Sequence, residues 1–144
     1  MSSELEQPAR KALDGGVLIA LAVGEAAASE LKDEILKGET LAFCSELALA
    51  ELEYILCRRL GWNVAEAKSR SLVESKVVGI IETSVIMHEA AKMKCERALS
   101  LPDCFTLALS KLYHCKAIFV RKEVEMEQAI EKKAFDVEIK FLMP

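Results

Sequence analysis

The stretch that decides the fold is Lys11-Ala-Leu-Asp14-Gly-Gly-Val-Leu-Ile-Ala-Leu21. A short apolar lead-in ends at one carboxylate, two glycines turn the backbone, and an apolar helical run begins at once. In an α/β domain the carboxyl end of the first strand opens onto the crevice where ligands gather. An acid at that exit can face a ligand without being buried in the sheet. Asp before Gly is also an ordinary turn pair, since Asp tolerates turn geometry and Gly supplies positive φ. The company Asp14 keeps decides between the two readings, and the candidates for that company are Glu51, Asp103 and Glu123.

Working outward, Gly24–Lys37 reads as an amphipathic helix with Ala27, Leu31, Ile35 and Leu36 on one face and Gly38 as its stop. Leu41–Cys44 is a short buried strand, and Ser45 is placed to cap the next helix. That helix, Glu46–Leu60, is apolar almost all round, which marks a buried helix, and Arg58 and Arg59 suit the negative end of its dipole before Gly61 stops it. Glu51 and Glu53 both lie among apolar neighbours at helical spacing, so periodicity alone leaves open which of them faces inward. Asn63 is expected to cap a more polar helix to about Glu74, with Lys68, Arg70 and Lys76 as possible basic contacts, and Val77–Ile81 reads as a strand. Ser84 is expected to open a helix from Val85 to Leu99. Lys92, Lys94 and Arg97 lie near its end, and a charged helix face is usually only solvated.

Ser100-Leu-Pro-Asp103 announces the next helix, with Ser100 as cap, Pro102 in the first turn and Asp103 completing a capping box. Backbone N–H groups and the helix dipole there are expected to keep Asp103 ionised. Lys116–Val120 is a strand, a helix runs to about Lys133, and Phe135, Val137, Ile139 and Phe141 alternate with polar residues as an edge-type strand. Strands alternating with helices along the chain predict an α/β fold, a three-layer α/β/α arrangement around a parallel, Rossmann-like sheet. Residues 1–10 are expected to form a flexible, acidic leader without the apolar core of a signal peptide, and 11–144 a single domain.

The totals narrow the function. A chain of 144 residues, 52% hydrophobic and 29% charged, fits one globular domain. No apolar run reaches the roughly 18–20 residues of a membrane span. Five cysteines without a CxxC pair argue against a zinc site and a disulfide framework, and point to a reduced, cytoplasmic setting. His88 and His114 stand far apart and read as ordinary surface or packing residues. No Gly-rich phosphate loop, nucleophile elbow or zinc-protease motif is present. The net charge of −4 gives no overall basic field for nucleic acid. An acidic protein can still act on phosphates if a metal ion bridges the like charges.

Asp14, Asp103 and Glu123 each fall at or near a junction where a helix begins, and in a doubly wound sheet such junctions crowd onto one edge. Clustered carboxylates repel, and a hard divalent cation is the usual remedy. Four segments carry a resemblance: Leu13-Asp-Gly-Gly-Val-Leu-Ile-Ala-Leu21, Leu47–Gly61 around Glu51, Leu99–Lys111 around Asp103, and Phe119–Met126 around Glu123. In this order they resemble the acidic motifs of PIN domains from about residue 11 onward, and most resemble archaeal VapC-like members. The resemblance implies a PIN-type sheet and a Mg²⁺- or Mn²⁺-dependent endoribonuclease, a VapC-like toxin of a toxin–antitoxin pair. It implies Asp14, Glu51, Asp103 and Glu123 as the catalytic, metal-binding acids, and selects Glu51 over Glu53. It also implies an RNA substrate, a homodimer and a small VapB-like antitoxin as partner; the high apolar content of so small a domain points the same way toward a dimer.

Three features depart from the pattern. The family usually carries a hydroxyl or amide residue two positions after the first acid, where this chain has Gly16. The lead-in Arg10–Leu13 is less β-like than usual. The fourth acid is a Glu in a basic context beside Arg121 and Lys122, and Glu125 competes for its place. An inactive PIN-fold scaffold for RNA or protein is therefore the alternative function. A receiver-like phospho-acceptor domain is a third, set last because Val77–Ile81 ends without the Asp it requires.

Overall fold

The computed structural model describes residues 7–144, so most of the expected leader lies outside the described residues. Strand β1 (Ala9–Leu13) begins two residues before the expected start of the domain. It continues directly into α1 (Gly15–Val23), with Asp14 as N-cap. The chain goes on through α2 (Ser29–Leu36), β2 (Thr40–Ser45), α3 (Glu46–Leu60), α4 (Trp62–Glu74), β3 (Gly79–Ile81), α5 (Thr83–Glu96), α6 (Leu101–Leu112), β4 (Lys116–Phe119), α7 (Val124–Lys132) and β5 (Ile139–Phe141). The strands form one sheet in the order β3-β2-β1-β4-β5. Every neighbouring pair is parallel, as in Ala12 against Phe43 and Ala117.

Alternation along the strands feeds two cores. Leu13, Ala42, Cys44 and Ile118 point to one side and pack with Val17, Leu18, Leu31, Leu52, Leu56 and Leu72, which belong to α1–α4. Ala12, Ala117 and Phe119 point to the other and pack with Ile86, Ala90, Leu107, Leu109 and Met126 from α5–α7. A strand buried on both faces can be apolar at consecutive positions, which is why β4 reads as the apolar run Ala117–Phe119 and β1 is apolar only at its end, Ala12–Leu13. The result is the expected α/β/α sandwich.

Local departures have local causes. The single helix expected over Gly24–Lys37 is two pieces: Gly24 ends α1 in the left-handed region at φ 74°, a 3₁₀ turn covers Ala26–Ala28, and α2 starts only at Ser29. Asn63 and Ser84 lie inside α4 and α5, whose N-cap positions are taken by Gly61 and Glu82. Helix α5 stops at Glu96, short of Leu99, and β3 pairs only over Gly79–Ile81. Strand β5 is an edge strand but spans only Ile139–Phe141, leaving Phe135 and Val137 outside the ladder. Ser45 and Ser100 do cap α3 and α6, accepting from Ala48 N at 3.0 Å and Asp103 N at 3.2 Å. All five cysteines are free thiols. Among the described residues no helix is long and apolar enough to cross a membrane.

Candidate active site

The carboxyl edge of the sheet is where β1, β2 and β4 hand over to helices, and it is there that the acids meet. Asp14 N donates to Ile118 O at 3.0 Å, so the ladder runs up to the acid itself. The Asp14 carbonyl then accepts from Val17 N and Leu18 N, opening α1, while its carboxylate accepts from Gly16 N at 3.3 Å. The side chain is therefore an N-cap, as the plain turn reading has it, but it also stands in an acidic setting.

Gly15 and Gly16 do not serve as left-handed turn residues. Neither has positive φ, and both are the first residues of α1. What Gly15 supplies is room: a Cβ built on it would stand 2.1 Å from Glu51 Oε1 and 3.1 Å from Glu51 Cβ. The side chain of Glu51 thus crosses from α3 onto the first turn of α1, beside Asp14. Glu53 turns the other way, where its Oε2 accepts from Ser69 Oγ of α4 at 2.6 Å. The pair that periodicity left open is separated by what each touches.

Electrostatics couples these groups. Burial, then the charges of Asp103 and Glu51, push the Asp14 carboxyl from about 3.8 up to about 7, against hydrogen bonds from Gly16 and Gly15 that pull it down. Burial and the Asp103 charge also raise Glu51. Asp103 is raised as well, chiefly by burial and further by Glu125 and Glu123, although its hydrogen bond with Ser100 opposes this. Desolvation and like charge therefore outweigh the cap in setting the direction of the Asp103 shift.

Asp14, Glu51 and Asp103 form the inner group, while Glu123 and Glu125 act on Asp103 from the exposed N-terminus of α7. Glu123 occupies the N-cap position there without a side-chain cap bond. A further acid at this edge, Glu46, is committed elsewhere, since its Oε1 accepts from Thr83 N at 2.7 Å and caps α5. Sequence reasoning overlooked that bond and the spacing role of Gly15, because both depend on residues far apart in the chain.

None of Asp14, Glu51, Asp103 and Glu123 is in an ion pair among the described residues. No three acid, His or Cys side chains among those residues are close enough to form a ready-made cation cage. The chemistry of the donors nonetheless suits a hard cation: all are carboxylate oxygens, and the inner ones are partly desolvated with no positive partner. At position 16 a Cβ would lie 3.2 Å from Val120 Cγ2 and 3.6 Å from Asp14 Oδ2, so a side chain would be pressed between β4's exit and the first acid.

Residues 11–123 match the family model of the PIN domain. No curated protein matches the chain. Among solved structures it is similar to VapC20 of Mycobacterium tuberculosis, a sarcin–ricin loop cleaving toxin, at TM-score 0.59 and 22% identity over 74% of this chain and 86% of that one. It is also similar to VapBC2 of Rickettsia felis, bound to a DNA fragment from its promoter, at TM-score 0.66 and 11% identity over 92% and 98%. A toxin–antitoxin complex of Klebsiella pneumoniae gives 0.59 and 18% over 78% and 88%. At these identities the likeness is one of fold.

Proposed function

The chain belongs to the PIN domain family, and from that premise we propose that it is a divalent-metal-dependent endoribonuclease, the VapC-like toxin of a toxin–antitoxin pair. The observation that carries the reading is the inner group itself. Asp14, Glu51 and Asp103 come from three separate elements at one sheet edge, Asp103 raises the proton affinity of both Asp14 and Glu51, and none of the three has a cationic partner among the described residues. Such a group is a net cost to the fold unless something positive joins it.

Mg²⁺ or Mn²⁺ would be held by Asp14, Glu51 and Asp103, with Glu123 or Glu125 as the outer acid. A cation there supplies the positive charge that offsets repulsion among the acids and the charge building on a phosphodiester. The chain's own part is placement. Strand β1 and the Gly16 N–H fix Asp14, Gly15 leaves the space Glu51 needs, and Ser100 starts the helix that carries Asp103. Arg121 and Lys122, on the segment after β4, lie close enough in sequence to Glu123 to receive an RNA backbone arriving at the same edge.

A homodimer and a small VapB-like antitoxin complete the proposal. The exposed Leu60, Trp62 and Val64 at the α3–α4 corner, about half exposed in the case of Trp62, support partner binding. The toxin–antitoxin assemblies among the fold neighbours support the choice of partner. Cytoplasmic action is part of the same proposal.

Gly16 favours a second reading, an RNA-binding or interaction scaffold with little catalysis, because the position offers no hydroxyl or amide beside Asp14. One assay separates the two. Structured RNAs are incubated with the protein with and without Mn²⁺, alongside Asp14→Asn and Asp103→Asn. The nuclease reading expects Mn²⁺-dependent cleavage lost in both variants. Retention of RNA without cleavage supports the scaffold, and equal cleavage by all three proteins marks a contaminant.

A further inference from the structure

Helix α7 is poorly secured for an element that carries two acids of the site. It has nine residues and buries only Met126 and Ala129. A helix of that length is not stable unaided. Among the described residues no side chain caps its N-terminus. Its C-terminus is held from outside by Arg97, the residue that ends α5. Arg97 Nη1 donates to Ala129 O at 3.2 Å and to Lys133 O, and Nη2 donates to Ala134 O at 3.1 Å. The guanidinium carbon lies 3.5 Å above the centroid of the Phe135 ring. A planar fork of donors thus meets carbonyls at and just beyond the negative end of the helix, of which Ala129 O also accepts from Lys133 N, and stacks on the aromatic residue that follows.

The other side of the clamp leads to Asp103. Arg97 stands on the short segment between α5 and α6. Lys94 Nζ donates to Leu99 O at 2.5 Å and braces that segment, and Ser100 Oγ accepts from Asp103 N. One guanidinium therefore ties the helix of Glu123 and Glu125 to the segment that launches Asp103. The junction is otherwise loosely filled: a groove of about 430 Å³ opens there, lined by Arg97, Ala98, Glu125 and Gln128 among others. Arg97 and Lys94, read from the sequence as part of a charged and mostly solvated face, are both spent on carbonyl oxygens.

We propose that Arg97 is a positioning residue of the acid site, setting Glu123 and Glu125 opposite Asp103 and through them the site's affinity for a divalent cation. This rests on the reading of the acids as a cation site. A residue that orients ligands from behind typically changes metal affinity by 10–100-fold when replaced. Because Arg97 acts through a helix and on the outer acids, the low end of that range is expected.

The full chain is tested as wild type, Arg97→Gln and Arg97→Lys, by calorimetric titration with Mn²⁺ and by amide hydrogen exchange. Arg97→Gln should weaken Mn²⁺ binding about tenfold and speed exchange in α7 while α1 and β1 keep their protection. Arg97→Lys keeps the charge but not the fork and should recover part of the affinity. Should the Gln variant fail to fold, the Lys variant carries the comparison. Placed on a Glu123→Gln/Glu125→Gln background, Arg97→Gln should cost no further affinity. Loosened α7 with unchanged Mn²⁺ affinity, or the same tenfold loss in the background lacking both acids, overturns the proposal. Wild type that binds no Mn²⁺ overturns the cation reading and this inference with it, without reference to any variant.

Discussion

Replacing Asp14 by Asn should stabilise the cation-free protein, and by an amount that depends on pH. The Asp14 carboxyl titrates near 3.8 when unfolded and about 7 when folded. Above both values it is ionised in either state, and the native state bears the whole cost of holding the charge, which linkage puts at roughly 4 kcal/mol. Between the two values the folded chain keeps a proton that the unfolded chain has lost. Stability therefore rises as pH falls from 7 toward 4, and below about 4 the contribution of this group is constant. Relaxation of the site and partial access of water reduce the figure, so about 1–3 kcal/mol is expected. Asn is as good an N-cap as Asp, so the bond from Gly16 N survives and the comparison isolates the charge. For a chain of this length each kcal/mol moves Tm by about 2–4 °C. Melts in EDTA should show Asp14→Asn higher than wild type by roughly 3–10 °C at pH 8, with the gap closing by pH 4. Mn²⁺ should then raise wild type and leave the variant unmoved. A gap that stays constant across pH, or a variant that melts lower throughout, would refute the claim that Asp14 is a desolvated member of an acidic group.

The space above Gly15 gives a second test. Gly15→Ala brings a methyl onto the Glu51 carboxylate and tight against its Cβ, so the acid is expected to swing away from the site and Mn²⁺ affinity to drop about tenfold; an unchanged titration would show that Glu51 is not a ligand. Light scattering at tens of micromolar, an ordinary range for interface affinities, should return the mass of a dimer of 15.9 kDa chains, and a monomer would count against the proposed assembly.

What the sequence revealed about this fold was whatever neighbouring residues decide. Strands β2 and β4 were legible as short apolar runs and β1 by its apolar end before Asp14, and Ser45 and Ser100 were legible as caps because a hydroxyl before a helical run has a local partner. Asp14 was legible for the same reason. The misplacements were cases where distant packing took over. Thr83 N is capped by Glu46 from 37 residues away, which removes any need for Ser84 to start α5. The segment after α7 is pulled toward Arg97 rather than into the sheet, which leaves Phe135 outside β5. Glu51 and Glu53 could not be told apart until Gly15 and Ser69 stood beside them. The upward pull on Asp103 was not legible because a capping box is visible in four residues, whereas desolvation by the rest of the fold is not.

The gradient across the acids follows from strand order. In β3-β2-β1-β4-β5 the first strand of the chain is the central one. An acid leaving a central strand is flanked on both sides, by β2 and β4, and covered by helices from both layers. Asp14 accordingly suffers the largest desolvation and feels both Glu51 and Asp103. The acids after β4 sit one strand outward, at the start of a helix with two buried side chains, and reach only Asp103. Their placement cannot come from the sheet, which ends beside them in the three-residue β5. It has to come from whatever holds α7, and in this chain that is mainly Arg97. The same topology that makes the first acid the most constrained member of the group thus makes the fourth the most adjustable, which is why sequence alone could not choose between Glu123 and Glu125.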